Sequence, residues 1–413
     1  MSCWSVRLLR NPDFLKLWTG QTISQIGSRI TREGLPLTAV AMLGATPFQM
    51  GIMNGASGAV VLACGLFAGA WADRLRRRPI LIVTDLGRAA VLGMVPLLAL
   101  LHRLAMPHLY AIATAAGVLT VLFDVSYQAY LPSLVERENL LEGNSRLALS
   151  DSIAEIAGPG LTGVLVQWMT APLAILFDAV SFLCSAFSMA LIRKREPQPA
   201  PAADPHIGRE IRDGLQTCWR HRVLRAIAAR TGVGSFFMGF IGSMYILFAM
   251  RELKINPALL GAIIAVGGAS SLLGALVAEP LVKRIGYGPS LIGAAALTGA
   301  GALLVPLAHG PVIVCAMFMV ASQMTDAGWT VYSISEIAIR QSIVPDRLLG
   351  RVNSAMQLLF RGIYPAGAFV GGAVAQRIGV RNTMLAGAVG ILCSNLFLVL
   401  SPVRTMKSVP QSE

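Results

Sequence analysis

Apolar residues in this 413-residue chain come in long blocks separated by short polar ones, not in the alternation of a strand or the narrow stripe of a surface helix. A helix needs about 20 mostly apolar residues to cross the hydrocarbon of a bilayer. Twelve blocks reach that length. They fall at roughly 15–42, 48–71, 79–101, 108–131, 146–168 and 172–192, then at 226–249, 257–282, 289–308, 311–335, 352–376 and 382–401. The pattern predicts an all-α membrane protein with 12 transmembrane helices.

The two sets of six repeat one another. Phe182-Leu183-Cys184-Ser185 returns as Ile391-Leu392-Cys393-Ser394, and Pro47 and Gly51 return as Pro257 and Gly261. Arg74 and Pro79 match Arg284 and Pro289, and Asn144-Ser145 matches Asn353-Ser354. One offset of about 210 residues threads the chain, the mark of a duplicated transporter architecture. The expected organisation is an N-terminal six-helix bundle (1–192), a linker (193–224), a C-terminal six-helix bundle (225–403) and a tail (404–413).

Composition supports lipid as the solvent. Hydrophobic residues make up 55% of the chain and charged residues 13%, against about a quarter charged in a soluble protein. Mean hydropathy is +0.65. The net charge of +13 would suit nucleic acid, but its distribution argues against that partner. With the N-terminus inside, about 24 of the 34 Lys and Arg lie in cytoplasmic segments, and only Arg103, Arg251, Lys254, Arg377 and Arg381 lie opposite. This positive-inside bias places both termini, the linker and the tail in the cytoplasm. Residues 1–18 carry Arg7, Arg10 and Lys16 and lack the apolar core of a cleavable signal, so the first span is expected to act as the signal. Most of the six cysteines sit inside apolar runs without CxxC spacing, which speaks against a disulfide framework or metal site. The linker carries Arg193-Lys194-Arg195, then Pro197, Pro199, Pro201 and Pro205, then a polar helical run from His206 to His221. It reads as a tether on anionic headgroups, with a regulatory role as the alternative.

Charges inside spans are the candidate chemistry. They include Arg29, Arg32, Glu33, Asp85, Arg88, Asp124, Glu155, Asp178, Arg230, Asp326 and Arg361. Each costs about 2.5–3.5 kcal/mol at the bilayer centre, on the order of 30 kcal/mol together, so they must face one another or a water-filled path. Gln21, Gln25, Arg29 and Arg32 form a polar stripe on the first span. Arg29 and Glu33 stand four apart and are placed to neutralise each other, either as a structural bridge or as a pair contacting substrate or proton. Asp124 shares a face with Tyr127 and Gln128, and Asp326 with Trp329 and Ser333; each acid reads as a proton site or as a structural pair. Glu336–Arg340 and Asp85–Arg88 read as surface pairs, and Asp178 as locally bonded to Ser181 or Ser185.

The loop after the second span reads Gly69-Ala70-Trp71-Ala72-Asp73-Arg74-Leu75-Arg76-Arg77-Arg78-Pro79. It resembles the signature loop of the major facilitator superfamily, in which Gly69, Asp73, Arg74, Arg77 and Arg78 would form a conformational latch. Lys283-Arg284-Ile285-Gly286-Tyr287-Gly288-Pro289 is a degenerate second copy without the acid. Ala154, Gly158-Pro159-Gly160 and Gly163 are similar to the antiporter motif of drug:proton antiporters, with Ala154 and Thr162 replacing two glycines. An ordinary kinked helix is the alternative. Asn11-Pro12-Asp13-Phe14, Tyr130-Leu131-Pro132-Ser133 and Arg340-Gln341-Ser342-Ile343-Val344-Pro345-Asp346-Arg347 extend the likeness to the branch holding macrolide efflux proteins and the enterobactin exporter. Members often carry an acid where this chain has Ser28, which moves attention to Glu33.

That resemblance implies two six-helix bundles about a pseudo-twofold axis, alternating access, and proton-coupled efflux of small amphiphilic molecules such as drugs or siderophores. The expected pathway residues are Gln25, Arg29, Arg32, Glu33, Asp124, Gln128, Glu155, Asp326, Trp329 and Arg361. Substrate, protons and membrane lipids are the expected partners of a monomer in a bacterial inner membrane. No enzyme chemistry, metal or cofactor is expected, and the absence of a phosphate-binding Gly-rich loop argues against ATP coupling. Uptake or lipid movement by the same fold is the alternative, and a non-transporting receptor the remoter one.

Overall fold

The computed structural model describes residue 8 and residues 11–72, 76–194, 196 and 207–407. Among them every regular element is helical. Asp73 and Arg74 of the latch lie outside the described residues, as do Arg7, Arg10, Arg195, His206 and the prolines at 197, 199, 201 and 205 of the linker.

The helices are α1 (Pro12–Ala41), α2 (Pro47–Ala72), α3 (Arg77–Leu100), α4 (Met106–Leu134), α5 (Leu140–Met169), α6 (Ala171–Ala190), α7 (Ile207–Arg220), α8 (Arg222–Leu247), α9 (Pro257–Ile285), α10 (Tyr287–Leu307), α11 (Val312–Met324), α12 (Asp326–Ile343), α13 (Asp346–Gln357), α14 (Ile363–Ile378), α15 (Val380–Ser394) and α16 (Leu396–Val399). Each apolar block of the sequence is helical, with 311–335 divided between α11 and α12, 352–376 between α13 and α14, and 382–401 between α15 and α16. Ten helical stretches of the described residues are long and apolar enough to cross a membrane. Helices α1 and α5, at 30 residues each, are about 45 Å long. Neither is in that set, since polar and small residues as well as charges lower their hydropathy. Contacts divide the chain into two compact units: residues 1–45 with 60–205, and residues 46–59 with 206–413.

In the first unit α1 begins where Asn11 caps it, the Asn11 Oδ1 accepting from Asp13 N (3.1 Å) and Phe14 N (3.2 Å) with Pro12 at the first turn. Glycines at 20, 27 and 34 then recur every seven residues on the face toward α6. A Cβ there would meet Ser188 Cβ at 2.9 Å, Asp178 Oδ1 at 2.6 Å and Ile175 Cγ1 at 3.0 Å. Small residues let the two backbones approach, as membrane helices without a hydrophobic driving force require. Phe14, Leu17, Leu81, Phe123, Tyr130 and Met189 form the core at one end of this unit.

That end is tied by reciprocal capping. The Glu196 carboxylate accepts from Arg77 N (2.8 Å) and Arg78 N (3.2 Å) at the start of α3. The Arg78 guanidinium returns to the Met189 and Ala190 carbonyls ending α6 (3.1 and 2.7 Å). Lys16 donates to Leu191 O (2.9 Å), and Lys194 to Leu134 O (3.0 Å). Asp13 accepts from Lys16 Nζ (2.8 Å) and from Lys194 N (3.0 Å). Cations at helix C-termini and acids on free N–H groups complete orphan backbone groups.

In the second unit α8 is held by α14 and α15 through glycines. A Cβ at Gly367 would fall on the Phe236 carbonyl, and one at Gly387 would lie 2.9 Å from Phe240 Cβ. Residues 46–59 of α2 pack here too: a Cβ at Gly51 would lie 2.8 Å from Gly372 Cα. Two π-helical turns interrupt this unit, Phe248–Glu252 and Leu358–Gly362. Arg381 staples one end, donating to the Pro306 and Ala308 carbonyls (both 2.7 Å), lying 3.4 Å from Glu252 and stacking over Phe248. At the other end Gly286, at φ +93°, and Gly288 admit the chain's return. The Gly288 N–H donates to Met406 O (2.8 Å), so residues 404–407, expected in a tail, join the turn Pro402–Thr405 against α10.

Candidate functional site

The first unit gathers its intramembrane charges between α1 and α5. Arg29 reaches across to Asp151 (3.0 Å) and forms a second ion pair with Glu155. Arg32 lies 3.8 Å from both Glu155 and Glu33. The expectation that Arg29 pairs with Glu33 along its own helix is corrected: α5 supplies the acids that Arg29 touches, because the two helices pass closely there. Gly158 allows the approach. A Cβ at 158 would lie 2.8 Å from Arg29 Cγ and nearer still to its Cβ. The antiporter-like stretch thus has a geometric role, admitting an arginine stem. Pro159 lies within α5 and Gly163 is buried on it. Pro159 has no N–H for the Glu155 carbonyl, and Thr162 Oγ1 donates to Gly158 O (2.8 Å).

Two guanidinium groups face three carboxylates in this cluster. Arg29 and Glu33 are mostly covered, whereas Arg32, Asp151 and Glu155 are 63%, 58% and 46% exposed. Charges so open on helices of bilayer length are costly against acyl chains, at about 2.5–3.5 kcal/mol each at the bilayer centre. Asp124 on α4 is exposed. The buried Tyr127 hydroxyl beside it feels the charges of both Asp124 and Asp151 and has no hydrogen-bond partner among the described residues. Gln128 is exposed one turn on. The Gln25 Oε1 is buried without a hydrogen-bond partner among the described residues. Asp151 was missed in the sequence although it stands four before Glu155 and seven before Gly158, on their face of α5.

A second charged group is sealed in this unit. Asp85 (0% exposed) pairs with Arg88 (4%), so the surface reading of that pair is corrected. The Arg88 guanidinium lies between the rings of Phe123 (4.2 Å) and Phe182 (4.1 Å) and is also acted on by Asp124 and Asp178. Ser181 Oγ donates to Asp178 Oδ1 (3.0 Å), the local bond its spacing suggests, and Gln21 Nε2 donates to Ser185 Oγ (3.0 Å) beside Asp85.

In the second unit the expected span 311–335 is broken at Thr325. Ser270 of α9 bridges the break, donating to Met324 O (2.6 Å) and accepting from Ala327 N (3.0 Å). Asp326 thereby sits in the first turn of α12, where a helix N-terminus favours negative charge. Its Oδ2 faces Gly267 of α9. Trp329 stacks on Phe360 (5.4 Å) and Tyr332 (5.8 Å), and the buried Arg230 lies over Tyr332 (4.0 Å) and bonds Asn395. Glu336 is buried against Arg340 (2.8 Å), a second correction of an expected surface pair. Arg361 is exposed in the π-helical turn Leu358–Gly362.

Apolar helices of bilayer length that enclose ion-paired and polar groups define a multi-pass membrane transport protein. The chain belongs to the transmembrane secretion effector family of the major facilitator superfamily, whose model matches residues 2–413. It is similar to the multidrug efflux pump Tap of Mycolicibacterium fortuitum, at 24% identity over 90% of this chain and 88% of Tap. It is also similar to macrolide efflux protein A of Streptococcus pyogenes (22%; 92% of this chain, 93% of that one) and to the enterobactin exporter EntS of Salmonella typhi (22%; 98% and 96%). Among solved structures, the fold matches a bacterial homologue of the iron transporter ferroportin with a TM-score of 0.76 at 18% identity, covering 95% of this chain and 98% of that one. It matches the nucleoside transporter NupG with a TM-score of 0.75 at 11% identity, over 94% and 98%.

Proposed function

We propose that this transporter exports small amphiphilic molecules, of the kind represented by drugs and siderophores, in exchange for protons. In this reading it works by alternating access as a monomer in a bacterial inner membrane. Its 12 spans comprise the ten apolar stretches with α1 and α5, and both termini are cytoplasmic. The bundles are 1–192 and 225–403, joined by the linker 193–224. The proton gradient drives the cycle without ATP or a cofactor. The named efflux relatives support the direction of transport.

One observation carries the coupling: Arg29 and Arg32 face Glu33, Asp151 and Glu155. Two cations balance two of three acids, and the third carboxylate takes up a proton or yields it. Asp124 and Asp326 are further proton sites in this scheme, and Gln25, Gln128, Trp329 and Arg361 contact substrate. Asp73 with Arg74, beside Gly69, latches one state of the cycle. Arg77 and Arg78 belong to the same latch, and are held by Glu196 and by the carbonyls that end α6.

The test is dye accumulation in cells expressing the protein, with and without an uncoupler, across external pH. The wild type should lower accumulation, and the uncoupler should abolish the effect. Glu155→Gln, which leaves two acids for two arginines, should lose the pH dependence of export. An unchanged pH profile in that variant would remove the cluster from coupling.

A further inference from the structure

The second unit contains a cavity of about 760 Å³ that the transport scheme does not use. Its wall is built from the end of α7, the start of α8 and the chain beyond α15. Arg222, Arg225 and Arg404 line it together with Trp219, Phe397 and Leu400. All three arginines are exposed, and none has an acidic partner among the described residues. The apolar members are exposed as well: Leu400 at 80%, Trp219 at 67% and Phe397 at 44%.

Position in the fold gives this combination its meaning. One apolar stretch begins at Arg222 and another ends at Val399. The cavity therefore lies where two membrane helices leave the hydrocarbon, at the level of lipid headgroups. Tryptophan collects at that level, and basic residues there attract anionic lipids. Three uncompensated cations next to large uncovered apolar groups match one molecule carrying both a phosphate and an acyl chain. A free phosphate would engage the arginines and leave Trp219, Phe397 and Leu400 without a role.

We propose that this cavity is a binding site for an anionic phospholipid. The phosphodiester sits among Arg222, Arg225 and Arg404, and an acyl chain lies along Phe397 and Leu400. The lipid joins the first turn of α8 to the C-terminal turn Pro402–Thr405, two segments otherwise far apart in the chain.

The experiment is native mass spectrometry of the full chain in detergent, titrated separately with phosphatidylglycerol and phosphatidylcholine. The wild type should retain phosphatidylglycerol in preference to phosphatidylcholine. The triple variant R222Q/R225Q/R404Q should weaken phosphatidylglycerol binding about fivefold per arginine, on the order of a hundredfold in all. R222K/R225K/R404K should keep most of the binding, since a headgroup at the surface reads point charge. Thermal melting of both variants in detergent should match the wild type because the three side chains are exposed. Equal phosphatidylglycerol affinity in the wild type and the Gln variant would overturn the proposal. So would inorganic phosphate competing as well as the lipid, which would assign the cavity to a free anion.

Discussion

Replacing Gly158 by Ala tests whether the α1–α5 approach holds the charged cluster in place. The added methyl would lie 2.8 Å from Arg29 Cγ, where carbon atoms prefer about 3.5–4.0 Å. The shortfall is about 1 Å there and larger at Arg29 Cβ, whose place is set by the α1 backbone and which no rotamer change moves away. The helices must separate or the arginine must leave Asp151 and Glu155. Overpacking of this kind costs about 1–3 kcal/mol. Gly160 is the control: it lies two residues on, and a Cβ there would meet nothing within 4 Å. Gly160→Ala should be neutral or slightly stabilising, since Ala is the better helix former by about 1 kcal/mol. The assays are thermal melting of purified protein and dye export by cells. Gly158→Ala should melt several degrees lower and export at least tenfold less, with Gly160→Ala near wild type in both. A double-mutant cycle then isolates the contact. In an Arg29→Gly background the stability cost of Gly158→Ala should fall by at least half. An undiminished cost there, or wild-type behaviour of Gly158→Ala alone, would refute the argument.

The other predictions concern the sealed charges and the capped end of the first unit. Arg88→Ala leaves Asp85 and Asp178 buried without their cation, and should cost about 3–5 kcal/mol; expression and melting should drop sharply and recover in part in Arg88→Ala/Asp85→Ala. Failure of that recovery would show that offsetting the Asp85 charge is not what makes Arg88 stabilising. At Asp13, partial burial pushes the carboxyl up, but the Lys16 hydrogen bond and the N–H groups of Arg193 and Lys194 outweigh it and hold the carboxyl below its ordinary value of 3.8. Its stabilisation is therefore complete above that value and is lost as pH falls through the lower folded one. Asp13→Asn should melt a few degrees below wild type at neutral pH, and the gap should close under strongly acidic conditions; a gap constant with pH would contradict this.

Helix positions were legible in the sequence because each block of about 20 apolar residues has one solution in lipid, a helix with its own hydrogen bonds. The partners of the charges were less legible. Asp85 and Arg88, or Glu336 and Arg340, show the same spacing on a surface as in a sealed interior. What buries Arg88 is Phe123 and Phe182, which belong to other helices. Arg29 looked paired within α1 because the sequence displays neighbours four residues away and not the acids that Gly158 lets α5 present. The break at Thr325 was hidden for a related reason: it is stabilised by Ser270, more than 50 residues earlier.

The return of the chain onto α10 bears on how the protein is handled. Val403 O occupies the place a side chain would need at residue 288, and Met406 O takes the Gly288 N–H. An affinity handle or fluorescent reporter belongs beyond Lys407. Trimming to Val399, attractive as a way to shorten the chain for crystallisation, would keep the apolar stretch that ends there but strip the entry of α10 and take Arg404 from the arginine-lined cavity.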